Sequence, residues 1–297
     1  MHSLVDVNER FVHLLFDPFY IQNLNITLMT IKSFYQRTFS IHKQVLSNIC
    51  ANILPNTYDQ VKKLAIEEQS IEHHSIVRDL LTHQITHLNI DIQTDEIPIL
   101  LSKTSLDIFT MILSLCQRLT YLNFCQVFSY RNSFISIYKL PQTSCSYSTL
   151  IELKINVATF NDCLCLLDGR FDSLSKLTIN VRNIKYERKE INNKTKLSKL
   201  KYFSLASINS VHRFNEYIIP LLRRMINLEE LILFLSVVRV DSTLIDGTEL
   251  YNQVLVHMLH LNKFIFSINT NVLSINNEMD VPSNEDIQNS FIGKEYD

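Results

Sequence analysis

The sequence LIELKI at residues 150–155 returns 24 positions later as LSKLTI at residues 174–179. Both hexamers place apolar residues at their first, fourth and sixth positions. The same pattern occurs nine times, at residues 21–26, 61–66, 85–90, 119–124, 150–155, 174–179, 200–205, 228–233 and 261–266. From residue 61 onward the copies start 24 to 34 residues apart, which indicates an internal repeat and not chance enrichment in leucine.

The repeat predicts strands that alternate with helices. The second half of each hexamer alternates apolar and variable residues, as a strand with one buried face does. Helical patterns lie between hexamers, at residues 41–54, 74–83, 105–116, 160–169, 212–225 and 248–259. Ser40, Thr104 and Thr159 precede three of them and are predicted helix N-caps. One strand and one helix in about 28 residues is the layout of a leucine-rich repeat. We therefore predict an α/β fold, a horseshoe-shaped solenoid with parallel strands on its concave face and helices on its convex face.

An ordinary doubly wound α/β domain is the alternative fold, because alternating strands and helices also suit it. That fold would not require the same pattern in nearly every strand. On the repeat interpretation, residues 21–270 form degenerate leucine-rich repeats, and residues 126–148 and 182–199 interrupt them without a clear amphipathic helix. Residues 271–297, which are acidic and rich in Asn and Ser, are predicted to form a weakly ordered tail.

Composition argues against several classes of function. The net charge is −2, from 28 Lys and Arg against 30 Asp and Glu, so a globally basic nucleic-acid-binding protein is not expected. The three glycines are too far apart to form a phosphate-binding loop. The N-terminus lacks the apolar core of a signal peptide, and no segment approaches the ~18 apolar residues of a membrane helix. These features predict an intracellular protein of the cytoplasm or nucleus that does not contact a membrane.

The sequence contains no pattern that points to catalysis, a metal or a cofactor. The six cysteines lack C-x-x-C spacing and mostly lie in apolar runs, so we predict buried free thiols. His83 and His87 are four residues apart but have no third ligand, which a zinc site requires. No histidine is placed beside Cys163 or Cys165 to activate a thiolate. We therefore predict a protein that is not an enzyme and binds no cofactor; a hydrolase or transferase built on an α/β sheet is the alternative.

The concave face is the usual binding surface of a repeat solenoid, and the hexamers predict which side chains line it. The third, fifth and seventh residues of each copy project away from the core, because side chains alternate along a strand. The residues that we predict to bind a protein are His87, Asn89, Tyr121, Asn123, Lys154, Asn156, Lys176, Asn180, Tyr202, Ile232, Phe234 and Ile265. The C-terminal end of this wall is apolar at Ile232, Phe234 and Ile265, which is typical of a protein-binding hot spot. Alternatively, the tail folds over that end.

The N-terminal stretch VNERFVHLLFDPFYIQNLNI at residues 7–26 carries a second pattern. The residue Leu4, just before this stretch, shares one face of the predicted N-terminal helix with Val7, Phe11, Leu14 and Leu15. The phrase V-N-E-R-F-x-x-L-L resembles the last helix of an F-box. The residues that resemble the passage from an F-box into leucine-rich repeats are Asp17, Pro18, Tyr20, Leu24 and Ile26. With the hexamers, most of the chain resembles the F-box/leucine-rich-repeat-like proteins of the bdelloid-rotifer type, although the first half of the F-box, with its Leu-Pro signature, is missing.

The resemblance implies a function and a partner. Proteins of this family bind a Skp-type adaptor through the F-box and hold a protein on their repeats. They serve as substrate-recognition subunits of cullin-type, SCF-like ubiquitin ligases and act by proximity. Residues 1–20 would then be an F-box remnant whose five apolar residues contact the adaptor; a helix that caps the first repeat is the alternative. A stand-alone protein-interaction scaffold without ligase docking is the alternative function.

Overall fold

The computed structural model describes two compact units of the chain. The described residues are 23–26, 63–67, 81–91, 98–125, 134–138, 149–185, 196–240, 244–273 and 290. The first unit is Met1–Ser133 and the second is Phe134–Asp297. The predicted N-terminal helix, with its five adaptor-contact residues, lies outside the described residues, as do Ser40 and the predicted helix at 41–54. Each unit is built on parallel strands.

The first unit contains four described strands and one long helix. The strands are β1 (Asn23–Ile26), β2 (Lys63–Glu67), β3 (His87–Asp91) and β4 (Tyr121–Phe124), and helix α1 (Pro98–Leu115) lies between β3 and β4 in sequence. The strands are parallel and neighbour one another in chain order. Leu64 is in register with Leu88, and Leu88 with Leu122, so equivalent hexamer positions lie side by side.

The second unit contains five described strands in the same arrangement. They are β5 (Glu152–Thr159), β6 (Lys176–Asn183), β7 (Tyr202–Ser207), β8 (Glu230–Arg239) and β9 (Lys263–Val272). The helices are α2 (Phe160–Leu166), α3 (Phe214–Leu222) and α4 (Gly247–Gln253), with a 3₁₀ turn at Leu255–His257. Here too, the strands are parallel and follow chain order.

The hexamers locate every described strand. Each of the nine strands begins at the third residue of its hexamer. From β3 to β8, the side chains at the first, fourth and sixth hexamer positions are at most 4% exposed. In the second unit the fourth positions form one buried column, in which Leu153, Leu177, Phe203 and Leu231 are neighbours in register. The predicted α/β class and the predicted strands are therefore confirmed.

A tight turn that we did not predict precedes each of five hexamers. The N–H of the first hexamer residue donates to the carbonyl three residues earlier, at 3.0–3.3 Å. These bonds join Leu119 to Cys116, Leu174 to Phe171, Leu200 to Leu197, Leu228 to Met225 and Leu261 to Met258. All five acceptor residues are apolar, so the repeated pattern begins three residues before the hexamer.

Two details of the helices differ from prediction. Helix α1 begins at Pro98, so Thr104 lies inside the helix and is not its N-cap. Proline suits the first helical position, since its fixed φ fits a helix and its missing N–H would have no partner there. The predicted helix at 248–259 ends at Gln253 and continues as the 3₁₀ turn. Thr159 is confirmed as an N-cap: its hydroxyl accepts the N–H of Asp162 at 3.3 Å.

Two neighbouring residues of β8 test the buried column. Leu231 is fully buried, whereas Ile232 points to the opposite face and is half-buried. We expect Leu231→Ala to lower the free energy of unfolding by roughly 3 kcal/mol, because it leaves a cavity in the core. Ile232→Ala, the matched control, is expected to lower it by less than about 1 kcal/mol. Urea unfolding followed by circular dichroism measures both, and equal losses would contradict the assignment of faces.

Candidate functional site

The candidate site is the face of the sheet opposite the buried columns, which we call the strand face. In the second unit the register arranges it in three rows. The first row is Glu152, Lys176, Tyr202, Glu230 and Lys263. The second row is Lys154, Thr178, Ser204, Ile232 and Ile265. The third row is Asn156, Asn180, Ala206, Phe234 and Ser267. The rows bring the predicted residues of this unit onto one surface.

An apolar patch occupies β8 and β9 on this face. Ile232 is directly opposite Ile265 in register, and Phe234 is directly opposite Ala206. Phe234 is 48% exposed and Ile265 is 40% exposed, which is unusual for large apolar side chains. Ile208, two residues beyond Ala206, is also exposed and was not predicted. Covering a side chain such as Phe234 with an apolar partner would stabilise a complex by about 2 kcal/mol.

Charged side chains border the patch but cancel one another. Lys263 Nζ lies 3.1 Å from Glu230 Oε2. Beside the face, Lys201 Nζ lies 2.7 Å from Glu229 Oε1. Exposed ion pairs of this kind contribute little to folding stability. Their main effect is to make the border of the patch polar without giving it a net charge. A protein that bound the patch would therefore be selected by shape and apolar area more than by net charge.

Asparagine amides form the polar side of the strand face. Asn180 Nδ2 donates to Asn156 Oδ1 at 2.7 Å on this face. At the end of β6, outside the three rows, Asn209 Nδ2 donates to Asn183 Oδ1 at 2.6 Å. Asn156 is only 3% exposed, which differs from the expectation that it offers its side chain to a partner. Its amide oxygen instead accepts from Asn180. Asn156 thus positions Asn180, which stays half-exposed on the face.

In the first unit, the strand face carries an aromatic pair. The rings of His87 and Tyr121 are stacked, with centroids 5.6 Å apart and planes at 23°. Thr86 Oγ1 lies 2.9 Å from His87 Nδ1 and so fixes the orientation of the imidazole. Asn89 is in register with Asn123, and this pair lies two residues further along the strands than His87 and Tyr121. The four predicted residues of this unit therefore lie on two neighbouring strands, β3 and β4.

A buried carboxylate joins the start of the second unit to helix α2. The Asp162 side chain accepts the N–H groups of Ile137 and Tyr138 at 2.6 and 2.8 Å, and the backbone N–H and side-chain O–H of Thr159 at 2.8 and 2.7 Å. Burial raises the pKa of Asp162, and these hydrogen bonds oppose the shift. Because solvent does not reach it and its oxygens are occupied, Asp162 anchors the chain and is not placed to exchange protons with a substrate.

The described thiols of the second unit lie on helix α2 and not on the strand face. Cys163 and Cys165 are buried, as predicted, and so is Cys116 of the first unit. Burial raises the pKa of Cys163 to about 12 and that of Cys165 to about 11. Cys125 is half-buried, and Cys50 and Cys145 lie outside the described residues. A thiol with so high a pKa is almost wholly protonated at neutral pH and is a poor nucleophile.

A cavity of about 200 Å³ also lies away from the strand face. Its walls are mainly the apolar side chains Leu166, Leu167, Phe171, Leu174, Leu197 and Leu200. No strand-face residue lines it. Within the described parts of the chain, no three His, Cys, Asp or Glu side chains come together to hold a metal ion. The strand face is therefore the feature with the clearest potential for binding.

The thiol environments predict a ranking of reactivity. With a pKa of about 12, only roughly 10⁻⁴ of the Cys163 side chains are thiolates at pH 8. Burial also keeps the alkylating reagent away from the sulfur. We expect iodoacetamide to modify Cys125 of the native chain well before Cys116, Cys163 or Cys165. Mass spectrometry of digested protein measures each site, and labelling in denaturant provides the control. Native labelling of Cys163 as fast as Cys125 would contradict the structure.

Comparison of the chain with known proteins does not assign it to a family. No family model and no curated protein matches the chain. In the part of the chain that the structure describes, no helix has the length and apolar composition that crossing a lipid bilayer demands. Neither finding assigns a function. The functional argument therefore rests on the geometry of the strand face and on the sequence patterns.

Proposed function

We propose that this chain is a protein-binding repeat module that binds its partner on the strand face. The apolar patch of Ile232, Phe234 and Ile265 is the observation that carries the proposal. Large apolar side chains on one exposed surface, bordered by polar groups, are typical of protein–protein interaction sites. The amides and paired charges around the patch form the polar rim that such sites have.

We also propose that the architecture is a leucine-rich-repeat solenoid. Its support is the equivalence of the repeats. The same hexamer locates every described strand, the same turn precedes five of the hexamers, and the same buried column runs along β5 to β8. In a doubly wound domain the strand order reverses near the centre of the sheet. Among the described strands of each unit, the order follows the chain without reversal. This favours repeats that stack one after another.

The ligase role is the part of the proposal that rests on the N-terminal resemblance. The chain would dock on a Skp-type adaptor through the apolar face that includes Phe11, Leu14 and Leu15. The patch would hold a substrate protein while the rest of an SCF-like ligase transfers ubiquitin to it. Catalysis would then belong to the other subunits, and this chain would contribute proximity and selection.

The patch is tested by substitution of its most exposed aromatic residue. A photo-crosslinking amino acid at position 234 first captures the partner, which is then identified and purified. We expect Phe234→Ser to weaken binding of that partner at least ~10-fold, because the ring is buried in the complex. Leu259→Ser is the matched control, since Leu259 is 80% exposed but lies outside the strand face. Equal affinities of the chain and its Phe234→Ser variant would refute the proposed site.

Adaptor docking is tested separately with a purified Skp-type adaptor. We expect the chain to retain the adaptor in a pull-down and Leu14→Asp to abolish retention, because a charge would enter the apolar contact. His13→Asp, on the same predicted helix but off its apolar face, is expected to bind normally. If the unmodified chain does not bind, the ligase role fails and a stand-alone scaffold remains. The patch experiment is independent of that outcome.

A further inference from the structure

Strand β7 carries smaller side chains in the middle of the strand face than the strands on either side of it. Ser204 and Ala206 lie there, between Tyr202 at one end of the strand and the exposed Ile208 just beyond the other end. Ser204 is 8% exposed and Ala206 is half-buried, so these two short side chains form a floor. We call the space above them the β7 trough.

The two walls of the β7 trough differ in chemistry. The register places Asn180 of β6 and Phe234 of β8 on opposite sides of Ala206. One row earlier, Thr178 and Ile232 flank the trough in the same way. One wall is therefore polar and uncharged, whereas the other is apolar and includes a ring that is 48% exposed.

The width of the β7 trough suits a planar aromatic ring. Neighbouring strands lie about 4.8 Å apart, so the side chains of β6 and β8 stand about 10 Å apart across it. A ring centred above Ala206 would lie about 5 Å from the Phe234 ring, within the roughly 4.5–7 Å range of paired aromatic rings. The opposite side of that ring would contact the Asn180 amide. One aromatic side chain of a partner therefore covers both walls.

Net charge on the strand face of the second unit is concentrated on β5 and β6. On β8 and β9, Glu230 and Lys263 cancel each other, and β7 has no charged residue. On β5 and β6, three cations share the face with one carboxylate, which gives a net charge of +2. These residues are Glu152, Lys154, Lys176 and Arg182. Lys154 Nζ lies 3.4 Å from Glu152 Oε1, whereas Lys176 is exposed and forms no ion pair with any described residue.

We propose that the partner binds as an extended protein segment, with an aromatic side chain in the β7 trough and an acidic side chain on Lys176. This inference rests on the proposed strand-face function and names the chemistry of the partner. Lys176 is four residues from Asn180 along β6, or about 13 Å. A lysine side chain reaches about 6 Å, and an extended chain advances about 3.3 Å per residue. The acidic residue therefore lies two to four positions from the aromatic one.

A nucleic-acid strand fits this surface less well than a protein segment. It could place a base in the β7 trough, but it would also bring a phosphate charge with every nucleotide. The net charge of +2 on β5 and β6 does not match such a series of anions. A single acidic side chain beside an aromatic one does match it.

The β7 trough is tested with random peptides displayed on phage and selected on the full chain. We expect enrichment of peptides that carry an aromatic residue with Asp or Glu two to four positions away. Ala206→Leu raises the floor of the trough, so it is expected to weaken binding of a synthetic enriched peptide at least ~10-fold, as measured by fluorescence anisotropy. Ser198→Leu is the matched control, because Ser198 is exposed and lines the cavity away from the strand face. We expect it to change the affinity less than about twofold.

The acidic contact is tested by reversing the charge of Lys176. At an ionic strength of about 0.02 M, we expect Lys176→Glu to weaken binding of the same peptide ~5-fold, and less at about 0.5 M, because salt screens exposed charges. A peptide with Lys in place of its acidic residue is expected to prefer the Lys176→Glu variant. Lys196→Glu makes the same charge change beside the cavity and is expected to alter the affinity less than about twofold.

The outcomes separate this proposal from the general strand-face function. A peptide that loses affinity with Phe234→Ser but binds the Ala206→Leu variant normally overturns the trough and leaves the strand-face function intact. A peptide that is insensitive to Lys176→Glu overturns the acidic contact. If no peptide is enriched, or if the enriched peptides bind the Phe234→Ser variant normally, the proposal fails, and partner capture at position 234 tests the strand-face function by itself. If Ala206→Leu does not fold, as judged by thermal unfolding, Ala206→Thr replaces it.

Discussion

The structure depends on the stacking of equivalent apolar side chains from one strand to the next. Leu153, Leu177, Phe203 and Leu231 form one such column, and none of them is exposed. A single strand and helix cannot cover these side chains, so each repeat is stabilised by its neighbours. Burial of a side chain of this size contributes about 2 kcal/mol relative to exposure. The recurring hexamer in the sequence reflects this requirement for stacked apolar residues. The stacking of those residues holds the strands in register.

The same constraint leaves the strand face free to vary. The columns require apolar residues at only three positions in each hexamer, and the alternating positions point to the opposite face. Along the second row that face changes from Lys154 and Thr178 to Ile232 and Ile265 without any change in the core pattern. Binding chemistry can therefore differ between repeats at little cost to stability. This separation makes a protein-binding role physically reasonable for a chain with so repetitive a core.

Sequence reasoning succeeded where structure follows local periodicity and failed where it follows contacts between distant segments. The hexamers predicted the location of every described strand, because one buried face imposes alternation on the residues themselves. They also identified Phe234 and Ile265 as exposed. The role of Asp162 was missed, since its carboxylate binds backbone N–H groups about 25 residues earlier in the chain. The burial of Asn156 was missed for a similar reason, because an amide from the next repeat occupies its oxygen.

Stacking also explains why the last described strand is chemically unlike those before it. Among the described strands, β8 has neighbours on both edges, whereas β9 pairs only with β8, and the side chain at its sixth hexamer position, Phe266, is 37% exposed. The patch uses the Ile265 side chain of β9 on the strand face. A partner bound there would therefore also contact the strand that stacking stabilises least among the described strands of the second unit.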